Sequence, residues 1–212
     1  MHQVIQTDNL FYENRLWEEG FHRVMGLDEV GRGCLAGPVV ASGVILNPDT
    51  PVSGIDDSKK LGSSIREQVA LEIRDKAVFW TIAWCDNKEI ARYNILKASL
   101  QAMIRCVKKT KPNPDYLLVD GNKGLEELMI PSFALVSGDR LSASIGAASI
   151  LAKVFRDKYM GELHYEYPEY GWNNNAGYPT LKHYEALQSF GYSPYHRTTF
   201  RLRTQKKYRK GI

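Results

Sequence analysis

Four acidic residues stand where carboxylates can act together. Asp28 and Glu29 follow the apolar run Val24-Met25-Gly26-Leu27, Asp120 follows Tyr116-Leu117-Leu118-Val119, and the strand-like run Phe133 to Val136 ends on Gly138-Asp139. In α/β sheets, sites form at strand ends, so acids that close separate strands can converge from distant sequence positions. Crowded carboxylates raise one another's pKa unless cations neutralise them. A ligand set of oxygen alone suits Mg²⁺ or Mn²⁺, and two such ions about 4 Å apart are a known device for phosphodiester hydrolysis. Taken singly, each acid is explained as well by a turn, because Asp at a strand end often begins one. Together they point to metal-dependent hydrolysis. Neighbouring strand residues face opposite ways, so Asp28 and Glu29 share an ion only if the backbone leaves extended geometry at Glu29, which Gly31 and Gly33 permit. Asp157 competes with Asp139, but it lies four residues after Lys153 on a helix, where an ion pair explains it. Asp56 and Asp57 read as a turn.

The elements that must carry these acids show as patterns. Val24 to Asp28 and Val39 to Leu46 read as strands joined by the hairpin-like Gly31-Arg32-Gly33-Cys34-Leu35-Ala36-Gly37-Pro38. Ser64 with Glu67 predicts a capping box for a helix bearing Ile65, Val69, Ile73 and Ala77. Val78 to Cys85, apolar on both faces, predicts a central strand, and Asp86 with Glu89 caps the helix after it. Ile95 to Lys109 is amphipathic and stops before Pro112-Asn113-Pro114. Ser142 caps a helix with Ile145, Ala148, Ser149, Ala152 and Phe155 on one side, where small residues allow close approach to a sheet. Tyr165 to Pro179 predicts a long loop, of a length that is usually functional or disordered, and Thr180 to Gln188 a short helix. These features predict a mixed α/β sheet with a small helical C-terminal lobe.

A chain of 212 residues suits one core with a small appended lobe. Lys and Arg number 28 against 24 Asp and Glu, and the excess lies in Arg201, Arg203, Lys206, Lys207, Arg209 and Lys210. Such a tail reads as a solvated end that can also meet phosphates. Cys34, Cys85 and Cys106 are odd in number and lack metal-ligand spacing, which predicts reduced thiols in the cytoplasm. The polar stretch Met1 to Leu10 has no signal-peptide character, and no run approaches about 18 apolar residues, so a soluble cytoplasmic protein without a membrane partner is expected.

At Asp28-Glu29-Val30-Gly31-Arg32-Gly33 the chain resembles the type 2 ribonucleases H, ribonuclease HII in particular. The similarity continues in order through Asp57-Ser58-Lys59-Lys60-Leu61, Asn94-Ile95-Leu96, Val119-Asp120-Gly121-Asn122, Gly138-Asp139, Ala147 to Val154, Gly177-Tyr178-Pro179-Thr180 with His183, and His196-Arg197 with Phe200. The resemblance implies a ribonuclease H-like sheet flanked by helices: one catalytic domain spanning residues 1–212, with a core of about residues 23–170 and a substrate-contacting lobe of about residues 171–212. It implies that Asp28, Glu29, Asp120 and Asp139 are catalytic and hold two divalent cations, Mg²⁺ or Mn²⁺. The implied reaction is hydrolysis on the 5′ side of ribonucleotides, in RNA–DNA hybrids or singly embedded in duplex DNA, leaving 3′-hydroxyl and 5′-phosphate ends. Gly31, Arg32 and Gly33 would then meet the 2′-hydroxyl and adjoining phosphates through backbone groups, Tyr178 would pack on the next deoxyribose, Lys59 would contact a phosphate near the cut, and Asn94 joins this substrate-binding set. Glycines permit the close approach, and the 2′-hydroxyl is what separates RNA from DNA. A monomer that removes misincorporated ribonucleotides from DNA is implied. Ribonuclease HIII typically carries lysine in place of Arg32 and an additional N-terminal domain, for which the roughly 20 residues before Val24 leave no room, so ribonuclease HII is the closer pattern. The chain departs from that pattern at Cys34, where proline is usual, at Asn175-Ala176, where a His-Lys pair is usual, and at Phe155, where threonine is usual. None of these is a metal ligand. The Asn175-Ala176 change removes positive charge beside Tyr178, and Asn173 to Asn175 can donate hydrogen bonds to phosphates in its stead.

Two rival readings use some of the same residues. Gly31-Arg32-Gly33 with Gly37 after a strand also fits the dinucleotide loop of an oxidoreductase, but Pro38 stands where the pyrophosphate-binding helix should run, and Asp28-Glu29 would repel the pyrophosphate. A noncatalytic nucleic-acid-binding module would use the basic tail with Tyr178 and Tyr195, and it gives the acids no task. His183 and His196 read as hydrogen-bonded structural residues or phosphate contacts rather than metal ligands.

Overall fold

β1 (Val24–Val30) and β2 (Val39–Ile45) pair antiparallel, and β3 (Phe79–Cys85) adds antiparallel to β2. On the other side of β1, β4 (Tyr116–Asp120) and β5 (Ser132–Leu135) add in parallel, so the order is β3-β2-β1-β4-β5. The computed structural model describes residues 9–55 and 62–202. Lys59, the expected Asp56-Asp57 turn, and the tail from residue 203 onward lie outside the described residues. The helices are α1 (Phe11–Glu18), α2 (Ser63–Lys76), α3 (Asn87–Tyr93), α4 (Ile95–Lys109), α5 (Ala143–Glu166), α6 (Trp172–Asn175) and α7 (Leu181–Phe190).

The sheet is mixed and flanked by helices, as the alternating patterns predict. Side-chain alternation sends Met25, Leu27, Leu117 and Val119 to one face, where α4 covers them with Ala98, Ala102, Met103 and Cys106. α5 and α2 cover the other face through Ala147, Ala148, Leu151, Val69 and Ile73. α5 lies so close to the sheet that a Cβ on Gly26 would stand 2.1 Å from the backbone carbon of Ser144, so only glycine fits there. At its N-terminus α5 is capped by the Ser142 hydroxyl and by the buried Glu13 of α1, whose carboxylate accepts from the Ser144 N–H at 2.9 Å and from the hydroxyls of Ser142 and Ser144. A negative group there complements the helix dipole.

Five expectations need correction. Val78 to Cys85 predicts a central strand, whereas β3 is an edge: Trp80 and Trp84 are 37% and 45% exposed on its outer face. Their rings are covered by side chains instead of a neighbouring strand. Arg74 lies over Trp80, Lys109 lies over Trp84, and Phe155 stacks on Trp84 at 5.5 Å. Ser64 does not cap α2, because the helix already begins at Ser63 with Gly62 at the cap and no side-chain cap bond. Tyr165 to Pro179 is not a long loop. α5 runs on to Glu166, a single helical turn follows over Pro168–Tyr170, and α6 comes next, because the aromatics pack inward: Trp172 is fully buried and stacks on Tyr170 at 5.1 Å. The remaining two corrections, at Glu29 and Asp139, belong to the site. By contrast, the Asp86–Glu89 capping box forms as expected, and Thr180 caps α7.

The glycine-rich segment after β1 leads directly into β2, with no helix at Pro38 to receive a pyrophosphate. It is sewn to the C-terminal chain instead: Leu35 N–H donates to Gly177 O at 2.8 Å, Gly37 N–H to Tyr195 O at 3.0 Å, and Arg197 N–H to Leu35 O at 2.8 Å. All three cysteines are free thiols in buried positions, and burial pushes Cys106 up to about 12 and Cys85 up to about 11, which keeps both protonated. Among the described residues, no helix is long and apolar enough to cross a membrane.

Candidate active site

The parallel register of β1 and β4 pairs Leu27 with Val119, so the next residues, Asp28 and Asp120, end the two strands side by side. By alternation both face α5, where the Ser149 hydroxyl bonds the Asp28 carboxylate. An Asp120 oxygen accepts from the Gly138 N–H at 2.7 Å, which ties β4 to the helical turn Gly138–Arg140 and brings Asp139 into the neighbourhood. Asp139 therefore sits within a turn beyond β5 rather than at the strand's end, and its buried side chain belongs to that turn.

β1 stays extended through Glu29 and Val30, which pair with Ala41 and Val40. The backbone break expected at Glu29 falls instead at Gly31, whose φ is +94°. Glu29 consequently leaves the strand on the face opposite Asp28 and reaches the same pocket over the open end of the sheet, where it accepts from Arg32 at 3.2 Å. This pocket, about 410 Å³ in volume, is lined by Asp28, Glu29, Val30, Gly31, Arg32, Gly33, Arg66, Asp120, Ser149, Lys153 and Tyr178. A cavity of similar volume, about 430 Å³, lies between α4 and residues 124–127, but it gathers none of the strand-end acids.

The acids are under mutual strain. Burial pushes the Asp28 carboxyl well above its ordinary value, and the charges of Asp120 and Glu29 push it further. Glu29 is raised chiefly by burial, against the opposing pull of Arg32. Among the described residues, no group of three or more His, Cys, Asp or Glu side chains closes into a ready-made cation cage. The donor chemistry nevertheless fits a hard divalent cation: Asp28 and Asp120 offer only oxygen, and a cation beside them would remove the repulsion that now favours a proton on Asp28.

The loop beside the acids is held by two buried arginines. Arg156 donates to the carbonyls of Pro38, Ala176 and Ala36 at 3.0, 2.7 and 3.0 Å, and Arg197 donates to those of Gly37 and Arg32 at 2.9 and 3.0 Å. Gly31 must be glycine, both for its positive φ and because a Cβ would fall 2.3 Å from Arg156 Nε. Gly33 is different: a Cβ there would meet nothing within 4 Å. Nothing inside the fold demands glycine at that position, and its open side faces the pocket. The Tyr178 ring, 37% exposed, closes the far wall, with its hydroxyl in hydrogen-bond contact with Cys34. Asn175 is committed to its own turn: its side chain donates to Tyr170 O at 2.7 Å and accepts from Gly177 N–H at 2.8 Å. Asn94 stands apart from this pocket, exposed at the start of α4, where its side chain accepts from the Lys97 N–H.

Below Tyr178, the two histidines are structural, one of the two roles expected of them. The Ser193 N–H donates to His196 Nδ1 at 2.9 Å, so His196 carries its proton on Nε2 and donates it to His183 Nε2 at 3.0 Å. His183 Nε2 also accepts from Trp172 Nε1 at 3.3 Å, and its Nδ1–H donates to the Tyr178 carbonyl at 2.9 Å. Every donor meets an acceptor only while both rings are neutral. Burial lowers both imidazoles, His196 to about 4.

Sequence reasoning missed Ser149, Arg66 and Lys153 as lining residues. A polar Ser149 on the small-residue face of α5, four residues before Lys153, was the available signal for two of them; Arg66 gave none.

The family model described as ribonuclease HII matches residues 25–206. A ribonuclease HII from Salinibacter ruber is 49% identical over 196 residues, which cover 91% of this chain and 98% of that protein. Among solved structures, that of the PCNA:RNase HII complex from Archaeoglobus fulgidus superposes with a TM-score of 0.74 at 26% identity, covering 85% of this chain and 96% of that one. Ribonuclease H2 from Pyrococcus horikoshii gives a TM-score of 0.73 at 23% identity, covering 89% and 100%, a likeness of fold.

Proposed function

The chain belongs to the ribonuclease HII family of metal-dependent ribonuclease H hydrolases, and from that premise we propose its substrate and its cut. It hydrolyses the phosphodiester bond on the 5′ side of ribonucleotides, in RNA–DNA hybrids and at single ribonucleotides embedded in duplex DNA, and leaves 3′-hydroxyl and 5′-phosphate ends. It works as a cytoplasmic monomer that clears misincorporated ribonucleotides from DNA.

The observation that carries this reading is the meeting of strand-end acids and an open glycine loop in one pocket. Asp28, Glu29, Asp120 and Asp139 would hold two divalent cations, Mg²⁺ or Mn²⁺, which supply the charge that activates water and neutralises the leaving oxygen. The chain's own groups prepare that site. Ser149 orients the Asp28 carboxylate, the Gly138 N–H orients that of Asp120, and Arg32 keeps the Glu29 carboxylate at the pocket's mouth. Gly31, Arg32 and Gly33 present backbone to the ribose 2′-hydroxyl, and the missing Cβ at Gly33 leaves room for that approach. Tyr178 receives the next deoxyribose on its ring. Lys59 contacts a phosphate near the cut, and Asn94 binds substrate farther from it. The segment from about residue 171 onward serves as the substrate-contacting lobe on the catalytic core.

Incubation with Mg²⁺ and a DNA duplex containing one ribonucleotide is expected to yield a nick immediately 5′ to that ribonucleotide. Failure to nick with either Mg²⁺ or Mn²⁺ would reject the reading.

A further inference from the structure

Cys34 stands where proline is usual, and its surroundings give that departure a role. Its thiol is free and fully buried, and the Tyr178 hydroxyl donates to it. Its N–H donates to Gly31 O at 3.4 Å and closes the turn over Arg32 and Gly33. The next residue, Leu35, donates its N–H to Gly177 O at 2.8 Å, which holds the turn and Tyr178 side by side. A proline offers neither an N–H nor a polar side chain. One residue thus joins the glycine turn to the aromatic ring, and both of these line the pocket while Cys34 does not.

The Tyr178 side chain needs such a partner. Its backbone is fixed already: the N–H donates to Asn175 O at 2.8 Å, and the carbonyl accepts from the Thr180 N–H and from His183 Nδ1–H, each at 2.9 Å. Those bonds leave the two side-chain torsions open. Lys153 Nζ and Arg156 Cζ lie 5.8 and 5.9 Å from the ring centre, an attraction that sets no tilt by itself. The contact with Cys34 holds the ring at its tip. Burial pushes both the thiol and the phenol up, so both stay neutral at ordinary pH and the contact persists.

We infer that Cys34 is a positioning residue: it sets the Tyr178 ring at a fixed spacing from the Gly31–Gly33 turn and so tunes the selection of a deoxyribose next to the ribonucleotide at the cut. The inference rests on the proposed function, because it takes the turn to read the 2′-hydroxyl and the ring to carry the neighbouring sugar. Two readers held at one spacing test two adjacent sugars together. A ring released at its tip tests the second sugar less strictly. A thiol that merely filled space would support packing and favour neither sugar.

Steady-state cutting of two substrates in Mg²⁺ separates these roles. One is a DNA duplex with a single ribonucleotide, where a deoxyribose comes next; the other is a uniform RNA–DNA hybrid, where a ribose does. Cys34→Ala is expected to lower kcat/KM about fivefold on the first, through KM, and to leave the second within about twofold. Cys34→Ser keeps an acceptor for the hydroxyl and should match wild type on both. Tyr178→Phe keeps the ring and loses the hydroxyl, so it should reproduce Cys34→Ala, and the double variant should be no worse than either single one. Wild-type behaviour of Cys34→Ala on the embedded ribonucleotide, an equal loss on both substrates, or additive losses in the double variant overturns the inference. Should Cys34→Ala fail to fold, Tyr178→Phe decides: a loss confined to the embedded ribonucleotide supports the link, and an equal loss on both substrates or none overturns it. A wild-type protein that leaves the embedded-ribonucleotide duplex uncut overturns the functional reading, and the inference falls with it.

Discussion

At the end of the sheet, Asp28, Glu29 and Asp120 crowd like charges into one pocket; beneath Tyr178, Trp172, His183, His196 and Ser193 match each donor to an acceptor. The two regions share a border, since Tyr178 lines the pocket with its side chain and accepts from His183 with its carbonyl. In the first region a repulsion among like charges remains that a cation would relieve. The second is satisfied and asks for none. Ionisable groups in a protein are thus not equivalent signs of chemistry: what makes the acids candidates for work is the repulsion left among them, and what marks the imidazoles as scaffold is that their bonds close on themselves.

The contrast is breakable at each side. Asp120→Asn removes a charge from the crowded region and should cut nicking by roughly a thousandfold or more while leaving hybrid binding in place; turnover near that of wild type would exclude Asp120 as a working acid. Its melting temperature should hold or rise, because repulsion with Asp28 is relieved. His183→Leu strikes the closed region and leaves the Tyr178 carbonyl, the Trp172 N–H and the His196 Nε2–H without their partner. A loss of about 3 kcal/mol in chemical denaturation is expected, with KM for the embedded-ribonucleotide duplex rising more than kcat falls; unchanged stability would show that the network is not needed.

Between the two regions, paired glycine variants sharpen the division. Gly31→Ala should cost about 1–3 kcal/mol, because of its positive φ and the clash with Arg156. Gly33→Ala should leave melting unchanged and instead lose the preference for ribonucleotide junctions over plain hybrids; full retention of that preference removes the loop from the recognition role. The smallest expected effect is on acid stability. A histidine whose folded pKa lies near 4, below its ordinary 6.5, stabilises the fold fully above about pH 6.5 and loses that contribution as pH falls toward 4. Denaturation of the protein between pH 6.5 and 5 should therefore show a loss of about 1–2 kcal/mol that His196→Gln reduces. Asp28 has the opposite sign: its raised carboxyl makes the cation-free site easier to hold as pH falls.

Much of this was legible from local pattern. The strands at Val24, Val39 and Tyr116, the caps at Asp86 and Ser142, and the Lys153–Asp157 pair depend on neighbours in sequence, and the ordered motifs pointed to the family. What escaped depends on distant partners. β3 looks central until Arg74, Lys109 and Phe155 are seen to cover Trp80 and Trp84. Tyr165 to Pro179 looks like a loop until Tyr170 and Trp172 are seen to pack against the two histidines. Glu29 was expected to need a broken backbone, yet β1 stays extended and the side chain goes around the sheet's open end. Arg156 gave no sign of its role and Arg197 only its place in the ordered motifs, because their partners are backbone carbonyls from segments far away in the chain.

The parallel pairing of β1 with β4 has a consequence in time as well as in space. Asp28 and Asp120 become neighbours only after a long crossover has closed, and Ser149 reaches Asp28 only when α5 has packed on the sheet. Contacts of such sequence separation form slowly, and a chain emerging from the ribosome cannot form them until most of it has been made. On the proposed reading of those acids, a nuclease assembled in this way is born inert and acquires its cutting centre among the last of its contacts.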